Sequence, residues 1–290
     1  MGYLEGTQKA GHTIKNYRSD LASFQQFLEK ELGRNPVALS QLSREDLGLF
    51  HDHLKSQGLK TNTRRRKLLT VRRLLRYLTK RNQLNIDVGD RLPTPHKLEK
   101  VPYTVQLKEL ITSIQALPVQ AELEERNRVL LWALAETGCQ VSEITRVRFE
   151  DWSTGNGGRS ATLSLAGKSP RMLAVSPELY NAVQSLKARS GERPWLFLGF
   201  NKFGALGAPI TPRGVELLVK AYSVKLRLDL LTPRTFRHSA VISWFKDGVS
   251  REEIQKRLGL KTPYAFRAYE PIFKSIESAT STGETDPRES

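Results

Sequence analysis

The chain has 290 residues, with 46 Lys or Arg against 30 Asp or Glu, a formal charge of +16 and a pI near 10.0. That length suffices for two domains with real cores, and no apolar run reaches the ~18 residues of a membrane span. The start MGYLEGTQKAGH is not a secretory signal, Gly6 stands where a myristoylated chain carries Ser or Thr, and the single Cys139 excludes an intramolecular disulfide or a cysteine-based zinc site.

A cytoplasmic protein with a polyanionic partner is therefore expected, and nucleic acid leads among such partners. The bland alternative is a protein that is simply basic.

In chain order, a first helix is expected from about His12 to Leu32, with Ile14, Tyr17, Leu21, Phe24 and Leu28 as its apolar stripe. A second starts at Ser43, whose capping-box partner is Asp46, and stops at Gly58. Residues 61–81, TNTRRRKLLTVRRLLRYLTKR, hold nine Lys or Arg and no acid. Leu68, Val71, Leu75 and Leu78 fall at helical spacing, the cations lie largely off that stripe, and Thr61 or Thr63 would cap the start. Such a helix, with Arg64, Arg65, Arg66, Lys67, Arg72 and Arg73 on or near its cationic face, suits a phosphate backbone or a major groove. A solvated charged face and a membrane-surface helix are the alternatives. The membrane reading is disfavoured because the apolar stripe is needed to pack the domain.

Residues 1–89 thus read as a small helical domain, and DRLPTPHKLEKVP (90–102), with three prolines and no periodicity, as a linker. From 103 to 276 the pattern is mainly helical. Helices are expected at Thr104–Ala116, Glu122–Thr137, Pro177–Arg189, Thr211–Leu226, Thr235–Asp247 and Arg251–Leu258. One β region interrupts them: period-two alternation at 161–165 and a return strand at 172–175 make a hairpin with Lys168 at its tip. The polar residues 277–290 read as a disordered tail.

The order ALAETGCQVSEI, strand–GK–strand, TPRTFRHS and LGLKTPYAFRAY resembles the tyrosine recombinase (phage integrase) family, in the chromosome-dimer-resolving type. HTIKNYRSDLASFQQFL and RRRKLLTVRRLLRYL are similar in character to helices of its core-binding domain, so the resemblance covers about residues 10–273. It implies a mainly α fold: a helical, SAM-like core-binding domain and a mainly α catalytic domain with a small antiparallel sheet, closing on duplex DNA as a clamp. The family's tyrosine attacks a phosphodiester to form a 3′-phosphotyrosyl link. Two arginines hold the non-bridging oxygens, a hairpin lysine protonates the leaving 5′-oxygen, and a histidine assists proton transfer. No metal or nucleotide cofactor is required.

Carried over by position, Tyr269 in RAYEP matches the nucleophile, 32 residues after Arg237, which matches the second arginine, and Lys168 in AGKSP matches the hairpin lysine. Three positions depart. Gln140 stands at the first arginine, Arg234 at the histidine three residues before Arg237, and Leu260 at the His or Trp of the L-G-H segment. His238 adjoins Arg237 but points differently from position 234 on a helix and does not restore the pattern. A preorganised donor lost from a developing oxyanion costs about 10²–10³ in rate, guanidinium does not act as a base, and leucine makes no hydrogen bond. Arg234 swinging in to supply the charge that Gln140 lacks is one conceivable compensation.

The resulting expectation is a duplex-DNA-binding protein of this family, in a recombination or integration context, with cleavage weak or lost. The alternatives are an active site-specific recombinase working through Tyr269, or a non-catalytic basic nucleic-acid-binding or regulatory protein. Family members assemble as tetramers on DNA, so a homo-oligomer or a partner recombinase is a further expectation. No membrane partner is expected.

Overall fold

In the computed structural model of the protein, residues 11–35, 37–84, 94–96, 98, 100–190 and 193–282 are described. The chain divides into two compact units, Met1–Glu99 and Lys100–Ser290. Of the expected linker, 90–102, residues 90–93, 97 and 99 lie outside the described residues.

The first unit is built on helices α1 (Gly11–Lys30), α2 (Arg44–Ser56) and α3 (Thr61–Lys80). Phe24, Phe27 and Leu28 of α1, Leu47, Phe50 and Leu54 of α2, and Leu68, Val71 and Leu75 of α3 form its core. These are largely the apolar stripes read from the sequence. Ser43 caps α2 through the expected capping box with Asp46, and Gly58 takes φ +68° after the helix ends. The start of α3 differs from expectation. Lys60 occupies the N-cap: its carbonyl accepts the first bonds, from Thr63 and Arg64, and its side chain, which has no acceptor, makes no cap. The Thr61 hydroxyl instead accepts from Arg64 (3.3 Å).

The second unit comprises α4 (Leu107–Gln115), α5 (Glu122–Thr137), the single turn α6 (Val141–Ile144), α7 (Pro177–Ser190), α8 (Pro212–Lys225), α9 (Pro233–Lys246), α10 (Arg251–Arg257) and α11 (Glu270–Thr282). Strands β1 (Trp152–Gly155), β2 (Ser160–Leu165) and β3 (Arg171–Val175) form an antiparallel sheet in that order. The expected β2–β3 hairpin is present, with Leu163 opposite Leu173 and Lys168 in its connecting turn. The expectation of one β region needs correcting. A separate hairpin, β4 (Leu198–Asn201) and β5 (Gly204–Pro209), precedes α8. Its GALGAP strand has neither β-branched residues nor alternation, so periodicity could not reveal it.

α5 is the central core helix: Val129 to Ala135 is a continuous buried run. The α4–α8 helices and the first sheet share this core, while Val241 and Ile242 of α9 with Ile254, Leu258, Phe266, Tyr269 and Phe273 form a second cluster. The tail boundary at 276 also moves. α11 continues to Thr282, since Ser, Ala and Thr are tolerated in a helix and the next breaker in the sequence is Gly283; residues 283–290 lie outside the described residues. No helix among the described residues is long and apolar enough to cross a membrane.

Candidate active site

Thr232 caps α9 and Pro233 opens its first turn, which sets the register of three polar residues. Arg234 is exposed, while Arg237 and His238 are half-buried. Arg237 donates from Nη1 to the Gly138 carbonyl (2.8 Å) and from Nη2 to the Leu258 carbonyl (2.9 Å). Gly138 ends α5 in the left-handed region at φ +57°. A Cβ there would lie 3.1 Å from that of Ala240 and 3.3 Å from the Trp244 ring, so glycine also permits the close approach of α9. The turn then delivers Gln140 to the N-cap of α6, where it is exposed.

Glu143 and Arg171 knit this region together. Glu143 accepts the Gln140 backbone N–H (2.7 Å) and a two-pronged bond from Arg171 (2.7 and 2.9 Å). Arg171 also donates to the Arg257 carbonyl (2.6 Å) and the Ser169 carbonyl (3.2 Å). One guanidinium thus joins the Gln140 turn, the Lys168 turn and the end of α10. Burial alone would push the Glu143 carboxyl up; hydrogen bonds from Arg171 and Gln140, with the Arg171 and Arg237 charges, hold it below its ordinary value. Lys168 itself stands exposed. Leu260 packs half-buried against the apolar cluster that contains Tyr269.

Tyr269 follows the 3₁₀ turn Pro263–Ala268 and is 6% exposed. Its ring stacks on Phe273 at 5.8 Å between centroids, and its hydroxyl lies 2.5 Å from His238 Nδ1. His238 does point differently from position 234, and that direction, which sequence reasoning did not trace further, takes it to the Tyr269 hydroxyl. Burial raises the Tyr269 phenol to about 12, although the Arg237 charge opposes the shift. The His238 imidazole is pulled below its ordinary value, first by burial and then by the Arg234 and Arg237 charges. Burial likewise lowers Arg237, against the attraction of Glu143. A neutral imidazole therefore faces a protonated phenol at neutral pH.

Tyr269, Arg237 and His238 are thus brought together, while Lys168, Gln140 and Arg234 stand exposed. The charge of Arg234 bears on the His238 ring, whose protonation it disfavours. Sequence reasoning missed the roles of His238, Glu143 and Arg171. Glu143 lay in the quoted TGCQVSE motif, and His238 is one helical turn from Arg234. Among the described residues no group of His, Cys, Asp or Glu is arranged to hold a metal.

In the first unit, the cations of α3 divide. Asp20 of α1 is fully buried and accepts from Arg66 (2.5 Å) and the Thr70 hydroxyl (3.0 Å), with the Lys67 ammonium 3.8 Å away. Lys67 is only 13% exposed, and burial lowers its pKa. It belongs with the helix packing more than with the outer face on which the sequence reading put it. Arg65 donates to the Pro95 carbonyl (2.8 Å). Arg73 donates to the Tyr17 hydroxyl and lies 5.3 Å over its ring. Arg72 and Arg73 line an open concavity of about 420 Å³ with Leu69, Arg76, Tyr77 and Lys80.

Residues 2–82 match the phage integrase N-terminal SAM-like domain, and residues 103–273, more than half of the chain, match the phage integrase family proper. The chain belongs to the phage integrase family of tyrosine recombinases. Its similar relatives include a tyrosine recombinase XerC of Herpetosiphon aurantiacus, 27% identical over 86% of this chain and 81% of the relative. A XerD of Rhizobium meliloti is 24% identical over the same shares. Among solved structures, the XerH site-specific recombinase bound to a palindromic difH substrate superposes with a TM-score of 0.73, at 19% identity over 94% of this chain and 80% of that one. A lambda integrase dimer bound to a COC′ core site gives 0.63 at 13% identity, over 90% and 92% of the two chains. The recombinase fold expected from the sequence, with its SAM-like domain and small antiparallel sheet, is the fold of this protein.

Proposed function

We propose that this phage integrase family protein binds duplex DNA through both of its units and that cleavage at Tyr269 is slow or lost. The substitution of Gln140, Arg234 and Leu260 at three of the family's site positions carries the reading. Arg237 is then the one arginine left at the family's two phosphate-holding positions, and two of its donors already serve carbonyls. Each missing oxyanion donor costs about 10²–10³ in rate, although losses within one site do not simply add. The cationic concavity on α3 supports the grip of the first unit. Its relatives named as Xer recombinases and its DNA-bound structural neighbours support DNA as the partner. Assembly as a tetramer on two sites, alone or with a partner recombinase, is the arrangement in which such a protein would act.

The second reading, a working recombinase with an altered site, is favoured by one observation: the Tyr269 hydroxyl rests on His238. A covalent trap separates the two. The protein is mixed with nicked genomic fragments from its source, washed natively and then with denaturant, and the DNA held at each stage is sequenced. Defined fragments held natively but released by denaturant support the first reading. Fragments that survive denaturant with the native protein, at normal yield, but not with Tyr269→Phe establish the second. No native retention at low salt would sink both.

A further inference from the structure

We propose that His238 is the proton acceptor of Tyr269, replacing the lost histidine of position 234 in whatever cleavage this protein retains. The inference rests on the reading above that Tyr269 holds the nucleophile position.

Geometry carries it. His238 Nδ1 and the Tyr269 hydroxyl are 2.5 Å apart, closer than an ordinary nitrogen–oxygen hydrogen bond of about 2.7–3.2 Å, so the two groups are in direct contact. The two rings are inclined at 61° with centroids 5.4 Å apart. The other cationic side chains of the described site are not suited to the task. Arg234 and Arg237 keep their protons, and Lys168, as an ammonium, is a donor. Burial, and after it the two arginine charges near His238, favour its neutral form, the form that accepts a proton. The Tyr269 ring lies against Phe266 and Phe273, an apolar setting that disfavours the phenolate, so a base in contact with the hydroxyl eases its attack.

In the step this implies, the Tyr269 oxygen forms a bond to phosphorus as the phosphorus–O5′ bond breaks. The phenolic proton passes to His238 Nδ1, leaving an imidazolium. The electron pair of the broken bond departs with the 5′-oxygen, which takes a proton from the Lys168 ammonium. Charge and atoms balance without a metal or redox partner. The positive charge gained by His238 is matched by the one that Lys168 gives up.

Two measurements test it. Nitrogen-15 NMR of histidine-labelled protein, with His238→Gln to assign the signal, reads which ring nitrogen is protonated. The proposal requires a bare Nδ1 and a proton on Nε2; a protonated Nδ1 overturns it whether or not DNA is cut. The covalent trap is then run on DNA recovered by native retention, with the native protein and with Gln140→Arg, which restores the missing charge. In whichever cleaves, His238→Gln should lower the adduct rate by about 10²–10⁴ while leaving native DNA retention in place, and added imidazole should partly restore His238→Ala. Equal adduct rates with and without His238, or no rescue by imidazole, overturn the proposal. Absence of any adduct in both backgrounds also overturns it, yet leaves the DNA-binding reading standing if fragments are still held natively.

Discussion

His238 illustrates how a single side chain couples site chemistry to folding. Its ordinary pKa is 6.5, and in the folded protein burial and two neighbouring arginines lower it. The unfolded chain therefore binds more protons than the native one once the pH drops below about 6.5, and stability rises with pH across that window. We expect the melting temperature to fall between pH 7.5 and 5.5, and to fall less in His238→Gln, where no titrating group faces Tyr269. Equal pH slopes in the two proteins would show that His238 is as easily protonated folded as unfolded. Glu143 does not confuse the comparison, because its carboxyl is held below the ordinary 4.5 and titrates in more acidic solution.

At the scale of elements, the meeting of the Lys168 turn with the end of α10 depends on one glycine. Gly259 follows Leu258 with φ +64°, and a Cβ there would lie 2.8 Å from Arg171 Nη1 and 3.0 Å from the Ser169 side chain. Gly259→Ala should therefore cost about 1–3 kcal/mol from backbone strain. It should also displace Arg171 from the Arg257 carbonyl, which chemical denaturation together with the NMR shifts of the 167–171 turn would reveal. Unchanged stability would mean that the turn gives way freely.

Elements of this kind also show what the sequence could and could not disclose. The helices of the first unit were legible because their apolar residues repeat at 3- and 4-residue steps and Ser43–Asp46 is a local capping signal. The β2–β3 hairpin was legible through its alternation. β1 has four residues, only the first of them buried, and β5 is glycine- and alanine-rich, so neither carries a pattern; their pairing partners define them. The same holds at the site. Positions 168, 237 and 269 could be read from motif spacing, whereas the His238–Tyr269 contact spans 31 residues and exists only once α9 and the 3₁₀ turn pack together. Likewise Asp20 gives no sign in sequence that it will accept Arg66 and flank Lys67, 46 and 47 positions on.

For the whole molecule, the dominant quantity is the charge of +16. Binding to duplex DNA should weaken steeply with salt, the slope of log K against log salt being about −0.9 for each phosphate neutralised. Within α3 the effect should be uneven. Arg76→Ala, on the concavity, should reduce that slope by about one phosphate contact. Lys67→Ala should leave the slope nearly unchanged and act through stability, because its ammonium faces buried Asp20. Fluorescence anisotropy on a DNA duplex across a salt series measures both slopes; equal reductions in the two variants would contradict the division of α3 into inner and outer cations.

Arg237 bears on how the history of such a protein is to be read. Its guanidinium bridges the carbonyl that closes α5 and the one that closes α10, so it acts as a strut between two helix ends. Selection for folding alone would keep it, in a lineage that cuts DNA and in one that has ceased to. Its presence is therefore weak testimony to activity, and an inactive Arg237 variant would be equally mute unless its fold had first been verified. His238 is the more telling witness: the bond it makes holds no two helix ends together, and reaches a single hydroxyl.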